Sequence, residues 1–106
     1  MAQNLLIATD YFNHWFSNLK DFRAKVYIDR RLSRIENGNF GDTRFVGSSV
    51  YEIKIDYGQG YRVYYTQMQS LIYILLIGGD KSTQTKDIAK AIQIRNEIIS
   101  GEKSNG

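Results

Sequence analysis

Between Tyr51 and Thr66 the chain alternates apolar and polar residues on either side of Tyr57-Gly58-Gln59-Gly60. Tyr51, Ile53, Ile55 and Tyr57 stand against Glu52, Lys54 and Asp56, then Tyr61, Val63 and Tyr65 against Arg62, Tyr64 and Thr66. A period of two sends successive side chains to opposite faces, so this stretch predicts an antiparallel hairpin with one face on a core and the other open to solvent. A turn over residues 67–70 leads into residues 71–77, apolar at every position, which predicts a central strand covered on both sides and ended by Gly78-Gly79.

Helical patterns flank this sheet. Residues 5–8 are a short apolar run of strand type, and Thr9-Asp10 supplies side-chain oxygens that can accept from the free amides of a helix start. Phe12, Trp15, Phe16 and Leu19 then recur at helical spacing. After a break at Lys20-Asp21, Ala24, Ile28, Leu32 and Ile35 form one apolar stripe, which Asn37-Gly38 terminates. So short a join predicts an antiparallel helical hairpin. Past the sheet, residues 81–85 are rich in capping side chains, and Ile88, Ala91, Ile92 and Ile98 or Ile99 give a last helix its stripe; residues 100–106 read as a polar tail. The order predicts an α+β fold in a single domain over residues 1–106: an N-terminal strand and helical hairpin packed on a twisted antiparallel sheet, then a C-terminal helix.

Composition narrows the class. Apolar residues at 42% and charged residues at 24% are globular values, and the apolar run of residues 71–77 is far too short to cross a bilayer. The N-terminus has no basic segment of signal-peptide type, and a chain without cysteine has neither disulfides nor a thiolate metal site, so the cytoplasm is the expected location. Residues 20–34 hold six basic residues against two acidic ones, whereas the rest of the chain holds eight against nine. The net +3 therefore sits on the second helix, whose Arg23, Arg30, Arg31 and Arg34 lie off the apolar stripe. They predict a solvated basic face able to meet an acidic partner or RNA phosphates.

If Ile53 and Val63 face the core, then Glu52 and Lys54 share the other face with Arg62 and Tyr64, and Lys81 stands just past the next strand. Cations gathered round a tyrosine suit phosphodiester oxygens and unstacked bases. RNA needs no metal to be cut, because its 2′-hydroxyl attacks the adjacent phosphate once the site takes the proton, steadies the charge and protonates the leaving oxygen. The same residues also describe an ordinary solvent-facing strand pair with cross-strand ion pairing. Tyr51, Tyr57, Tyr61 and Tyr65 read as sheet and core filler, and His14 as scaffold on the first helix. One histidine, no cysteine and scattered carboxylates predict no metal and no cofactor. Gly78-Gly79-Asp80-Lys81-Ser82 lacks the spacing of a nucleotide-binding P-loop.

A resemblance adds to this reading. Asn37-Gly38-Asn39-Phe40-Gly41-Asp42, Val46-Gly47, Val50-Tyr51-Glu52-Ile53-Lys54-Ile55, Gly60-Tyr61-Arg62-Val63-Tyr64-Tyr65 and Leu75-Leu76-Ile77-Gly78-Gly79-Asp80-Lys81-Ser82 follow one another in an order similar to the phage-derived addiction-module killer family. That family is the HigB-like branch of the RelE/ParE superfamily of type II toxins, and the resemblance covers about residues 12–99. It implies a RelE-like fold and a metal-free endoribonuclease that cleaves messenger RNA, commonly on the ribosome, and so arrests translation. It also implies a cognate antitoxin, usually a helix-turn-helix protein, and a homo-oligomer or a hetero-oligomer with that antitoxin. By the same resemblance Arg62 binds the scissile phosphate, Lys54 steadies it or acts as base, and Lys81 is a further functional cation. Glu52, Tyr64, Asp80 and Gln84 orient these groups or contact a base. The segment after Ile88 lacks the Tyr, His or Trp with which several RNA-cleaving relatives complete their site, which leaves Arg62 or Lys81 to protonate the leaving oxygen. Two alternatives stay open: inhibition of DNA gyrase, as in the ParE branch, and a non-catalytic interaction module.

Overall fold

The elements run β1 (Leu5–Ala8), α1 (Asp10–Ser17), α2 (Phe22–Glu36), β2 (Thr43–Gly47), β3 (Val50–Ile55), β4 (Tyr61–Gln69), β5 (Ile72–Gly79), a 3-10 turn (Lys81–Thr83) and α3 (Gln84–Ser104). They are seen in a computed structural model that describes residues 3–104, with side chains as far as residue 101. Local chemistry fixes the helix ends. The Thr9 hydroxyl accepts from the Phe12 amide, and the Asp21 carboxylate accepts from the Arg23 and Ala24 amides, so the break at Lys20-Asp21 is a helix cap. At the other end of α2, Gly38 at φ 94° lets its own amide and that of Asn39 close back on the Ile35 and Arg34 carbonyls.

Five strands form one sheet in the order β1-β5-β4-β3-β2, with β1 parallel to β5 and the other pairs antiparallel. On one face Phe12, Ala24, Ile28 and Ile35 from the two N-terminal helices pack on Ile53, Ile55, Val63 and Leu75. On the other face Ala91 and Ile94 of α3 pack on Val50, Tyr64, Ile74 and Leu76. The α+β class, the N-terminal helices over one face and the C-terminal helix are as expected, and β5 is covered on both sides as its unbroken apolar run requires.

Four details differ from the pattern. β4 runs through Gln69, so the turn predicted over residues 67–70 shrinks to Ser70 and Leu71, the latter held at φ 67°. α3 continues to Ser104, into the segment expected as a tail; residues 105–106 lie outside the described residues. Within α3 the deepest residues are Ala91 and Ile94, three apart, and Ile94 was not among the expected core positions. The fourth is Arg31, which is not part of a solvated face. Its guanidinium donates to the Lys54 carbonyl, to the Phe40 carbonyl at 3.1 Å and to that of Asp42 at 3.3 Å, tying α2 to the loop before β2 and to the end of β3. Burial and the neighbouring Arg34 lower its pKa. Arg31→Ala, which strips three carbonyls of a charged donor, is expected to destabilise the protein by about 1–3 kcal/mol in urea unfolding.

Candidate functional site

The alternation places Glu52 and Lys54 of β3 and Arg62 and Tyr64 of β4 on one face, as predicted, with Glu52 opposite Tyr64 and Lys54 opposite Arg62 in the register. That face is not open. α3 lies across it, leaving Glu52 3% exposed, Arg62 7% and Tyr64 fully buried, so the expectation of a solvent-facing cluster is corrected for all three. The physical reason is the apolar stripe of α3, which can be hidden only against the second face of the sheet. Lys54, nearer the end of β3, remains exposed.

Glu52 becomes the hub of a buried network. One carboxylate oxygen accepts from Arg44 Nε at 2.9 Å; the other accepts from the Tyr64 hydroxyl at 3.1 Å and from Gln84 Nε2 at 2.8 Å. Arg62 Nε lies 3.5 Å from that second oxygen, an ion pair without a hydrogen bond, and among the described residues it is the one buried side-chain nitrogen or oxygen left without a hydrogen-bond partner. Arg62 Nη1 donates to the Gly60 carbonyl at 2.6 Å. Burial pushes the Glu52 carboxyl up, but the hydrogen bonds from Arg44, Gln84 and Tyr64 outweigh it and hold the group below its ordinary value. Burial and the Glu52 charge push the Tyr64 hydroxyl well above the ordinary tyrosine value, so it is a fixed hydrogen-bond donor and not a phenolate.

Two of the three expected residues come near Gly60, Arg62 by its guanidinium and Lys81 by the base of its side chain. A Cβ placed there would stand 3.2 Å from Arg62 Nη1 and 3.4 Å from Lys81 Cβ, so this glycine, at φ 75°, leaves room for the Arg62 guanidinium beside the turn that carries Lys81. Lys81 is exposed on the 3-10 turn and lines a hollow with Gln59, Asp80 and Ser82; Lys54 and Arg62 do not line that hollow. Asp80 is occupied locally, since its carboxylate caps the turn through the Ser82 amide at 2.8 Å and the Ser82 hydroxyl. Gln84 donates to Glu52 and touches none of the three expected cations directly. Of the expected basic face, Arg23, Arg30 and Arg34 are exposed, and Arg31 is not available. His14 lines, with Trp15, Gly78 and Asp87, a cleft of about 710 Å³ between α1 and the end of β5.

Arg44 and Asp87 were not among the expected site residues, although Asp87 suits the first turn of α3 in which it lies. Arg44 faces Glu52 across the β2–β3 pairing, so a register for that hairpin would have found it. Asp87, 8% exposed, packs its carboxylate onto Gly79 and accepts from the Thr83 hydroxyl; burial raises its pKa despite that bond. Among the described residues no three His, Cys, Asp or Glu side chains gather as metal ligands, and no helix is long and apolar enough to cross a membrane.

The fold and site together define a small α+β protein whose sheet is enclosed between two helical layers and carries a buried carboxylate–arginine centre. No protein-family model and no solved structure matches the chain. A Haemophilus influenzae protein, described only as uncharacterized, is 48% identical over 87 residues, which span 82% of this chain and 88% of that protein. The chain belongs to the same family as that protein.

Proposed function

We propose that the chain is the toxin of a type II toxin–antitoxin module with a RelE-like fold, and that it acts on RNA at the rim formed by Lys54, Arg62 and Lys81. The observation that supports this reading is the Arg62 guanidinium fixed on the Gly60 carbonyl, next to the turn that carries Lys81. A guanidinium held by Glu52 and the Gly60 carbonyl lies beside the exposed Lys81 turn, and Lys54 stands opposite Arg62 on the next strand. A cation already fixed before substrate arrives stabilises a developing phosphorane charge without reorganising. In this reading Arg62 is mainly a source of positive field, because little of it reaches solvent, while the exposed Lys54 and Lys81 touch the phosphate. Lys54 takes the proton of the attacking 2′-hydroxyl, and Lys81 gives one to the leaving oxygen. Glu52, Tyr64 and Gln84 position Arg62 from beneath.

The burial of Arg62 also favours a second reading, in which the rim only binds and the target is DNA gyrase. Induction without an antitoxin separates the two. RNA cleavage leaves new 5′-hydroxyl ends inside coding regions within minutes and stops protein synthesis first; gyrase inhibition gives a DNA-damage response with translation initially intact. Lys54 and Lys81 are exposed, so their alanine variants are expected to fold normally, and Lys81→Ala is expected to lower the cleavage rate by about 100-fold if it donates the proton. Growth arrest undiminished in Lys54→Ala/Lys81→Ala would remove the rim from the mechanism. A helix-turn-helix protein that binds the chain and restores growth is the expected partner.

A further inference from the structure

The buried stripe of α2, Ala24, Ile28 and Ile35, faces the sheet. On one flank of the helix Arg23, Tyr27, Arg30 and Arg34 succeed one another at intervals of four, three and four, which keeps them within about 60° around the axis and spreads them over about 16 Å. All four are exposed. The acidic residues of the helix, Asp29 and Glu36, fall at least about 100° round from this flank, and the ion pairs of the described residues, both made by Glu52, engage none of the three arginines. Arg30 and Arg34, like charges four apart, disfavour the helix that carries them. The fold takes up Arg31 through three carbonyls and has no comparable use for its neighbours.

Between the arginines lies an aromatic platform. Tyr27 is 43% exposed, its ring packs on Tyr57 at 4.7 Å between centroids with the planes tilted by 30°, and the Arg30 guanidinium lies 5.9 Å from the Tyr27 centroid. The Tyr57 hydroxyl donates to the Asp21 carboxylate at 3.3 Å, which fixes the lower ring. An acidic protein surface would use the arginines and leave the ring idle, whereas a single strand of nucleic acid uses both, phosphates on guanidinium groups and an unstacked base on the tyrosine. Arg31 also binds the carbonyl of Lys54, so the flank belongs to the helix pinned to the strand end that carries the rim. We propose that this flank of α2 is a track for a single-stranded RNA segment, held by Arg23, Arg30 and Arg34 with a base on Tyr27. That the strand is RNA rests on the function proposed above; that it is single-stranded nucleic acid rests on the flank itself.

The test is fluorescence anisotropy of the full chain with a labelled 20-nucleotide 2′-O-methyl RNA, which cannot be cleaved, over a salt series, with heparin and polyglutamate as base-free polyanions. Arg23→Ala/Arg30→Ala/Arg34→Ala is expected to weaken RNA binding at least about tenfold and to reduce the salt slope by about 2, the value for three phosphates on a single strand. The triple lysine variant should recover most of the affinity. Tyr27→Ala is expected to weaken RNA binding about tenfold and leave heparin binding unchanged. RNA binding equal to wild type in the folded triple alanine variant overturns the proposal. So does a Tyr27→Ala variant that binds RNA normally, or polyglutamate binding as tight as RNA, either of which marks an acidic-partner surface. Failure of the two readings is distinguishable: if induced cells show no new RNA ends but the arginine variants still lose the oligonucleotide, the track stands and the nuclease falls. If Lys54→Ala/Lys81→Ala abolishes cleavage while the triple alanine variant binds and cuts normally, the reverse holds.

Discussion

Glu52→Ala is expected to destabilise the protein by about 3–5 kcal/mol, the effect of removing one partner from a buried ion pair. The Arg62 guanidinium, 7% exposed, would lose its counter-charge, and the Tyr64 hydroxyl and Gln84 amide would lose their acceptor under α3. Arg44 contributes little to this loss, since its side chain is 60% exposed and water replaces the carboxylate. Glu52→Gln, which keeps an oxygen acceptor but no charge, should fall between the two, and urea unfolding at pH 7 ranks them. The folded-state pKa of Glu52 is depressed below its ordinary 4.5. The stability it contributes is therefore fully present above about pH 4.5 and is lost as pH falls through the lower folded value. Wild type is expected to lose stability over that acid window while Glu52→Gln shows a flatter profile there; parallel curves would show that Glu52 is not held ionised by its network.

Gly78→Ala is expected to cost about 1–3 kcal/mol and to change the environment of the single tryptophan. A Cβ at residue 78 would lie 2.3 Å from Trp15 Cζ3 and 2.5 Å from Cη2, so the indole must leave the strand it covers. Trp15 also packs on Phe12, with ring centroids 5.8 Å apart, and its displacement opens the core between α1 and β5. Tryptophan fluorescence is expected to shift to longer wavelength in the folded variant. Combining Gly78→Ala with Trp15→Ala tests the cause: if the clash with the ring is responsible, the double variant is more stable than the sum of the single effects predicts. Additive losses would place the strain elsewhere on β5.

Much of the fold was legible in the chain because each element announces its own period. Thr9, Asp21 and Gly38 mark helix ends through local hydrogen bonds, and the alternation of residues 51–66 sets β3 and β4 together with which of their side chains share a face. The site was legible only halfway. Glu52, Lys54, Arg62 and Tyr64 do share a face, but of the four only Lys54 is exposed as the alternation predicts. Two clues were present: residues 71–77 are apolar on both faces, so the sheet needs a second cover, and the stripe of α3 needs a surface to hide against. Arg31 shows the same limit, since nothing in its spacing separates it from Arg30 or Arg34.

What the amino-acid order decided alone is thus the kind of each element and the side on which each residue of a strand points, both consequences of backbone geometry repeated over a few residues. Whether a given side meets water or another layer was decided only when α3 closed over β3, β4 and β5. That is a matter of packing between distant segments, and it turned Glu52 and Arg62 from surface charges into a buried pair while leaving Lys54, Lys81 and the arginine flank of α2 outside.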